Sequence, residues 1–492
     1  MKEKEEAQTP GDVEEAQPRE APGPPYTTFS HWQKALIITL VSFLAIISPF
    51  SSSIYLPALT AIADDMNVSI SLINLTVSSY LIFQAISPSF IGNFSDTYGR
   101  RPAYMICCVI YLSANISLAL QDNYAALFVL RCLQSCGSSA TIALGSATAA
   151  DMVTRAERGK YLGYASMGVT LGPALGPVIG GLLNEYLGWR SIFWFLTILS
   201  GVLFLVVLAF LPETCRNVVG DGSITPPLWN MSLLGYLKQR KQQDTSAETE
   251  KPTKRRPNPF ASLKILAERQ TGLVLLFSSL MYGGYYLVMV TLSTQLTSRF
   301  GFSSVTVGLC YLPLGCGSLC YRYTGGFLMD WNFRRYAKKE GVEIVKNRQQ
   351  NLNLLPIERM RVEISLPLVY LSCAMIMIYG WLLEKKYPLA GIEVSLFFVG
   401  LLFSGSLNNL NTLIVDLNVE SAATAVAANN LARCLLGAGA AAIANPLIDR
   451  IGLGWASVFV AGVLIIATPI LWAVMLRGQR WRMAKGRSTQ GD

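Results

Sequence analysis

The chain has 492 residues, of which 52% are hydrophobic and only 14% charged, with a mean hydropathy of +0.39. Soluble domains carry roughly a quarter charged residues, so a soluble enzyme or binding module is excluded. The net charge of +9 follows from basic loops between apolar runs and calls for no nucleic acid.

Residues 1–34 are acidic, Pro-rich and nearly free of aliphatics, the composition of a disordered tail. No short apolar region with a small-residue cleavage site follows a basic start, so no signal peptide is read. Twelve apolar runs then follow, near 35–57, 71–91, 103–121, 124–150, 160–183, 190–211, 271–294, 303–326, 365–383, 388–412, 421–446 and 455–476. Each is near the roughly 17–25 residues that cross a bilayer as a helix, and the two-residue alternation of a barrel is absent. The expectation is an all-α membrane protein of twelve transmembrane helices. It divides into a six-helix bundle 35–211, a cytoplasmic linker 212–270, a second bundle 271–476 with an insertion 327–364, and a tail 477–492. With the amino terminus inside, the inner segments hold 32 Lys and Arg and the outer ones 5, which places both termini in the cytoplasm. The linker, with Lys251, Lys254, Arg255 and Arg256, reads as a solvated segment or one touching anionic headgroups.

Polar residues inside these runs are the candidates for function, because each is costly in a bilayer. Arg131 lies about two turns into span four, with Gln134 and Gly137 after it, and can either act inside the span or snorkel to the outer interface. Arg433 lies about twelve residues into span eleven, after Asn429 and Asn430, with Asn408, Asn409 and Asn411 in span ten. It reads as facing a central cavity toward an anionic substrate or a carboxylate, or as a buried structural pair. Tyr282, Tyr285 and Tyr286 in span seven offer aromatic faces to cationic or neutral ligands. Span one has no acid, and Asp151 and Asp416 fall at span ends, so no carboxylate is placed in the cavity. Ten cysteines, nearly all in apolar runs, and the single His31 ahead of span one form no metal-ligand spacing, so no metal or cofactor is expected.

Between spans two and three stands Gly92-Asn-Phe-Ser-Asp96-Thr-Tyr-Gly99-Arg100-Arg101, whose glycines let helix ends approach while Asp96 pairs or caps. This run resembles the loop signature of the major facilitator superfamily. An echo six spans later, Gly326-Phe-Leu-Met-Asp330-Trp-Asn-Phe-Arg334-Arg335, lacks the middle glycine. Two copies in register imply two pseudo-symmetric six-helix bundles, the major facilitator fold, with the site between them near the midplane. Gly163, Gly172, Gly176, Pro177, Gly180 and Gly181 in span five resemble the superfamily's antiporter signature, which implies close helix packing and export. Arg131 and Gln134 resemble the signature of proton-coupled exporters, with one residue inserted before the glycine. That resemblance implies a part in proton coupling, together with the loop residues Asp96, Arg100, Arg101 and Asp330. From Ile47 to about Gln479 the chain is similar to the fungal quinidine-resistance branch of drug:proton antiporters. Exporters of citrate-like acids and transporters linked to secondary-metabolite clusters share its signatures.

The resemblance implies a monomeric, proton-driven exporter in the plasma membrane that rocks two halves around a small-molecule substrate. The substrate is a drug, a metabolite or an organic acid, with an anion favoured by the two arginines. Multidrug efflux without a dedicated substrate, and a non-transporting sensor of the same fold, are the alternatives. No Gly-x-x-x-x-Gly-Lys-Ser/Thr loop supports an ATP-driven pump, and no cluster of His, Asp and Glu supports an enzyme.

Overall fold

The computed structural model describes residues 27–152, 167–224, 226–233, 261–341, 356–418 and 421–488. Among them are twelve helices of 21 to 36 residues: α1 (His31–Ser53), α2 (Ile70–Tyr98), α3 (Arg100–Leu120), α4 (Tyr124–Met152), α5 (Met167–Leu187), α6 (Arg190–Phe210), α7 (Arg269–Phe300), α8 (Leu312–Lys339), α9 (Ile357–Glu384), α10 (Leu389–Leu417), α11 (Ala422–Ile451) and α12 (Leu453–Ser488). Eleven described helical segments are long and apolar enough to cross a membrane, and α5, at the position of expected span five, completes the set. Local chemistry sets the ends. Ser30 and Gln33 form a capping box at the start of α1, and Ser69 caps α2. Pro57 turns the chain through a short 3-10 segment, after which helix resumes at Leu59–Asp65.

Packing repeats between the halves. In the first bundle α1 packs on α5, α2 on α4, and α3 on α4 and α6; in the second α7 packs on α11, α8 on α10, and α9 on α10 and α12. The same pairing at a six-helix offset is the pseudo-symmetry expected from the repeated loop motif. The bundles meet along α2–α11 and along α5 against α8 and its leading segment Ser304–Leu309.

Hydrogen bonds cross between the bundles at mid-depth and toward the end away from the termini, hereafter the far end. Ser52 Oγ and Tyr286 Oη are 2.8 Å apart, and Ser78 Oγ donates to the Ala438 carbonyl at 2.9 Å. Nearer the far end, Asn184 Nδ2 donates to Ser304 Oγ at 2.7 Å, and the Ser304 N–H donates to Glu185 at 2.9 Å. The glycines of α5 make this closeness feasible. A Cβ at Gly172 would collide with the Phe50 backbone of α1, one at Gly176 with Ser53 Oγ, one at Gly180 with the carbonyl of Ile54 just past the end of α1, and one at Gly181 with the Ser304 carbonyl. Gly163 lies outside the described residues.

Three edges differ from the sequence expectation. The echo motif sits inside α8, which continues unbroken to Lys339, so the insertion expected at 327–364 is helical in its first part. The first motif breaks the chain because Gly99 adopts φ +117°, whereas the matching position of the echo is Phe333, which continues a helix. The linker is not wholly a solvated segment, since its beginning folds against the first bundle through Glu213 and Asn230. The expected tail at 477 is helix as far as Ser488. The basic cluster 251–256 and the tail 1–26 lie outside the described residues.

Candidate functional site

At mid-depth α2 and α11 face each other, and the polar side chains there form a continuous path. Arg433 donates from Nη2 to Asn430 Oδ1 at 2.9 Å, and its guanidinium carbon lies 4.8 Å from the centroid of Tyr282. Asn430 Nδ2 reaches across the seam to the Gln84 carbonyl at 3.3 Å. Gln84 Nε2 donates to Ser48 Oγ at 3.3 Å, and Tyr80 donates to the Ser48 carbonyl at 3.0 Å. Over the Tyr80 ring, 4.5 Å from its centroid, stands the guanidinium of Arg131. Both intramembrane arginines singled out in the sequence therefore sit on one network, at opposite ends of it.

Their surroundings differ. Arg131 is 0% exposed, clamped between the rings of Tyr55 and Tyr80, with Nη1 donating to Gln134 Oε1 at 2.6 Å. Gln134 in turn donates to Asn115 Oδ1 at 2.7 Å. The guanidinium does not snorkel to the interface; it is held inside the first bundle. Arg433 is only partly buried, and the Tyr282 ring beneath it continues into Tyr286, whose centroid is 5.7 Å away. Among the described residues neither guanidinium pairs with a carboxylate. Nε and Nη2 of Arg131, Nε of Arg433 and Oε1 of Gln84 are buried without a partner. Aromatic faces compensate a desolvated cation by about 2 kcal/mol, less than an ion pair in the same setting offers. The half-open guanidinium is thus short of an anion.

The other expected site residues divide. Asn430 and Tyr282 join Arg433, whereas Asn429 bonds within its own bundle, to Asn411 at 3.1 Å. Asn408 is exposed and contributes its carbonyl to Thr412, so the structure does not bring it to Arg433. Asp96 and Arg100 pair directly at the terminal end, and Arg100 Nε also binds Asp151 at 2.9 Å. Arg101 donates to the carbonyls of Leu208 and Trp229 at 3.1 and 3.2 Å. Glu213 completes this cluster by accepting the N–H groups of Arg100 and Arg101, two of the orphan donors that open α3, and those of Thr214 and Cys215 in its own loop. Burial pushes the Glu213 carboxyl above its ordinary range, against the pull of those donors. Asp330 is exposed, and the second bundle ties the matching region differently, through Arg361 with Asp416 at 3.0 Å and Arg335 with Glu363 at 3.2 Å.

Sequence reading passed over Gln84 and Tyr80, because single polar residues in an apolar helix carry no motif. It also passed over Arg322 within α8 and Glu393 within α10, both of which a scan of expected spans for every charge identifies. Glu393 lies in the second turn of α10, near the end of its span, and leaves the expectation of a cavity without a placed carboxylate unchanged.

Comparison with known proteins agrees with this architecture. The model of the Major Facilitator Superfamily matches residues 41–442. MFS-type transporter R5 of Phoma sp. is 45% identical over 95% of this chain and 89% of its own length. Citrate exporter 1 of Aspergillus niger is 35% identical over 94% of this chain and 90% of its own length. Among solved structures, the human organic anion transporter MFSD10 (TETRAN) superposes with a TM-score of 0.53 at 18% identity, covering 89% of this chain and 99% of that one, a likeness of fold. A family match across most of the chain, on twelve helices paired as two repeated bundles, makes this protein a multi-pass membrane transporter of the Major Facilitator Superfamily.

Proposed function

We propose that the protein exports a small anionic molecule, by alternating access around the seam of Arg433, Asn430, Gln84 and Tyr282, in exchange for protons. The observation that carries this reading is the half-buried guanidinium of Arg433, which among the described residues has aromatic and amide neighbours, an unpartnered Nε and no carboxylate. A carboxylate-bearing substrate supplies what is missing, and its affinity comes from pairing a charge already desolvated. The similarity to a citrate exporter favours an organic acid.

The excess of Lys and Arg in the loops at the terminal end supports a cytoplasmic orientation of both termini. On that orientation the far end is the outer end. Its closure by α5 against Ser304–Leu309 is the inward-facing half of a cycle. The glycine face of α5 serves this rocking by keeping α5 tight on α1 while its Gly181 edge meets the other bundle. The cluster of Asp96, Arg100, Arg101 and Asp151 would act as a cytoplasmic latch, and Arg131 with Gln134 as the element whose hydrogen bonding responds to protons. A second reading, efflux of neutral aromatic compounds, is favoured by the paired rings of Tyr282 and Tyr286.

The test is efflux from cells that express or lack the protein, with secreted acids profiled in the presence and absence of a protonophore. Export of a defined acid that stops with the protonophore at unchanged ATP supports the reading. Unchanged acids with altered tolerance of added neutral compounds supports the second reading instead.

A further inference from the structure

Glu393 stands in the second turn of α10, at the outer end of the second bundle. Both its carboxylate oxygens are buried, and among the described residues no N–H or O–H group donates to either. The groups that face it come from three neighbours. The Cys310 thiol, from the break between Ser304–Leu309 and α8, lies against the carboxyl, with Tyr311 beside it. Tyr379 of α9 shares the pocket, and Arg299 at the end of α7 acts on Tyr379. Arg299 spends its donors elsewhere, on Gln295 Oε1 at 2.7 Å and on the Glu384 carbonyl at 3.2 Å. A carboxylate left ionised among a thiol, phenols and aliphatic carbon, without one strong donor, costs far more than one carrying a proton.

The position of this group gives that proton a mechanical meaning. Cys310 and Tyr311 form the helix break that separates α8 from Ser304–Leu309, and that short segment is what seals the outer seam. Gly308 packs against the Pro177 carbonyl of α5, and Ser304 bonds to Asn184 and Glu185. The segment that closes the transporter to the outside therefore ends at the residue that shields Glu393. Parting α5 from Ser304–Leu309 rearranges the break and gives outer water a route to the carboxyl.

We propose that Glu393 is a proton-binding site of the outer gate, protonated from the outer medium as the seam closes and ionised when the seam opens. The step is a single proton transfer between water and a carboxylate oxygen, with no other bond made or broken. It deepens the alternating-access reading above and does not depend on the identity of the substrate. Acid outside then favours the closed seam, and each closure loads one proton at this position.

The test is electron–electron distance measurement in lipid nanodiscs. Spin labels are placed at Asp64→Cys and Lys385→Cys, on exposed outer positions of the two bundles, with Cys316 and Cys320 replaced by serine. The wild type is expected to shift from a longer to a shorter distance as the pH is lowered. Glu393→Gln is expected to hold the shorter distance at every pH, and Glu393→Asp to regain the shift. The same pH dependence in wild type and Glu393→Gln overturns the proposal. Should the glutamine variant not fold, an infrared band of a neutral carboxyl in the closed wild type, displaced in Glu393→Asp, takes its place, and its absence likewise overturns the proposal. Efflux of the same variants with a protonophore separates the two readings. Protonophore-insensitive efflux with a seam that still titrates through Glu393 contradicts proton-driven export and leaves the gate site standing. Protonophore-sensitive efflux with a seam indifferent to Glu393→Gln removes the gate site alone.

Discussion

Arg131 and Arg433 are the same side chain in the same membrane, each laid over tyrosine and each short of a carboxylate, yet they occupy opposite kinds of environment. Arg131 is sealed between two rings and held by Gln134, which is itself held by Asn115. Arg433 has one ring, one amide and a partly open side. A cation enclosed on every side shapes the bundle around it, whereas a cation left half enclosed at a seam is available to a ligand. The intermediate links Tyr80, Ser48, Gln84 and Asn430 join the two in one chain of contacts.

Substitution breaks the comparison most sharply at Arg131. Arg131→Ala leaves a cavity between Tyr55 and Tyr80 and strips Gln134 of its donor, at a cost of about 3 kcal/mol or more. We expect a large fall in melting temperature and loss of transport together, read by a thermal melt beside an efflux assay. Arg433→Gln keeps the amide contact and removes only the charge. It should melt close to wild type while anion export falls at least about tenfold, or about 1.4 kcal/mol of binding. Equal melting losses in both variants remove the distinction between them.

How much of this was legible in the sequence follows the same division. Apolar run length identified the spans, and the repeated loop motif identified the halves, because bilayer thickness and internal hydrogen bonding leave few choices. Arg131 and Arg433 were visible as charges inside apolar runs, but nothing in spacing foretells which one is caged. The echo at Gly326–Arg335 was visible as a motif without its middle glycine, but not as part of an unbroken helix, which continues because Phe333 stands where the first copy has Gly99. Gln84 and Tyr80 were hidden because a lone amide or phenol in an apolar helix gains meaning only from what stands opposite it. Glu213 carried no hint that it would cap a helix more than a hundred residues earlier.

The two motif copies give the next contrast in size. Gly99→Ala forces an alanine to φ +117° and drives its Cβ into the Glu213 carboxyl, so it should cost more than about 1 kcal/mol. Gly326→Ala, in continuous helix with open space around the position, should be neutral or stabilising by up to about 1 kcal/mol. Chemical or thermal denaturation of the two variants side by side decides it.

The smallest expected effect is on pH dependence. Burial raises the Glu213 carboxyl in the folded protein, so the folded state binds its proton more tightly than the unfolded state. That contribution is retained below the ordinary carboxylate range and is lost as the pH rises through the raised value, so stability declines across that window. Glu213→Gln should flatten this part of a melting-temperature profile, at the price of weaker capping of α3.

The central claim is that Arg433 awaits an anion at the seam, and ligand-induced stabilisation tests it most directly. Purified protein in nanodiscs is melted with a panel of organic acids, their neutral amides and matched cations, for wild type and Arg433→Gln. Binding raises the melting temperature in proportion to the logarithm of ligand over dissociation constant. The account predicts that acids alone stabilise the wild type and that Arg433→Gln abolishes the shift. Equal shifts from amides or cations, or shifts from acids that persist in Arg433→Gln, contradict it.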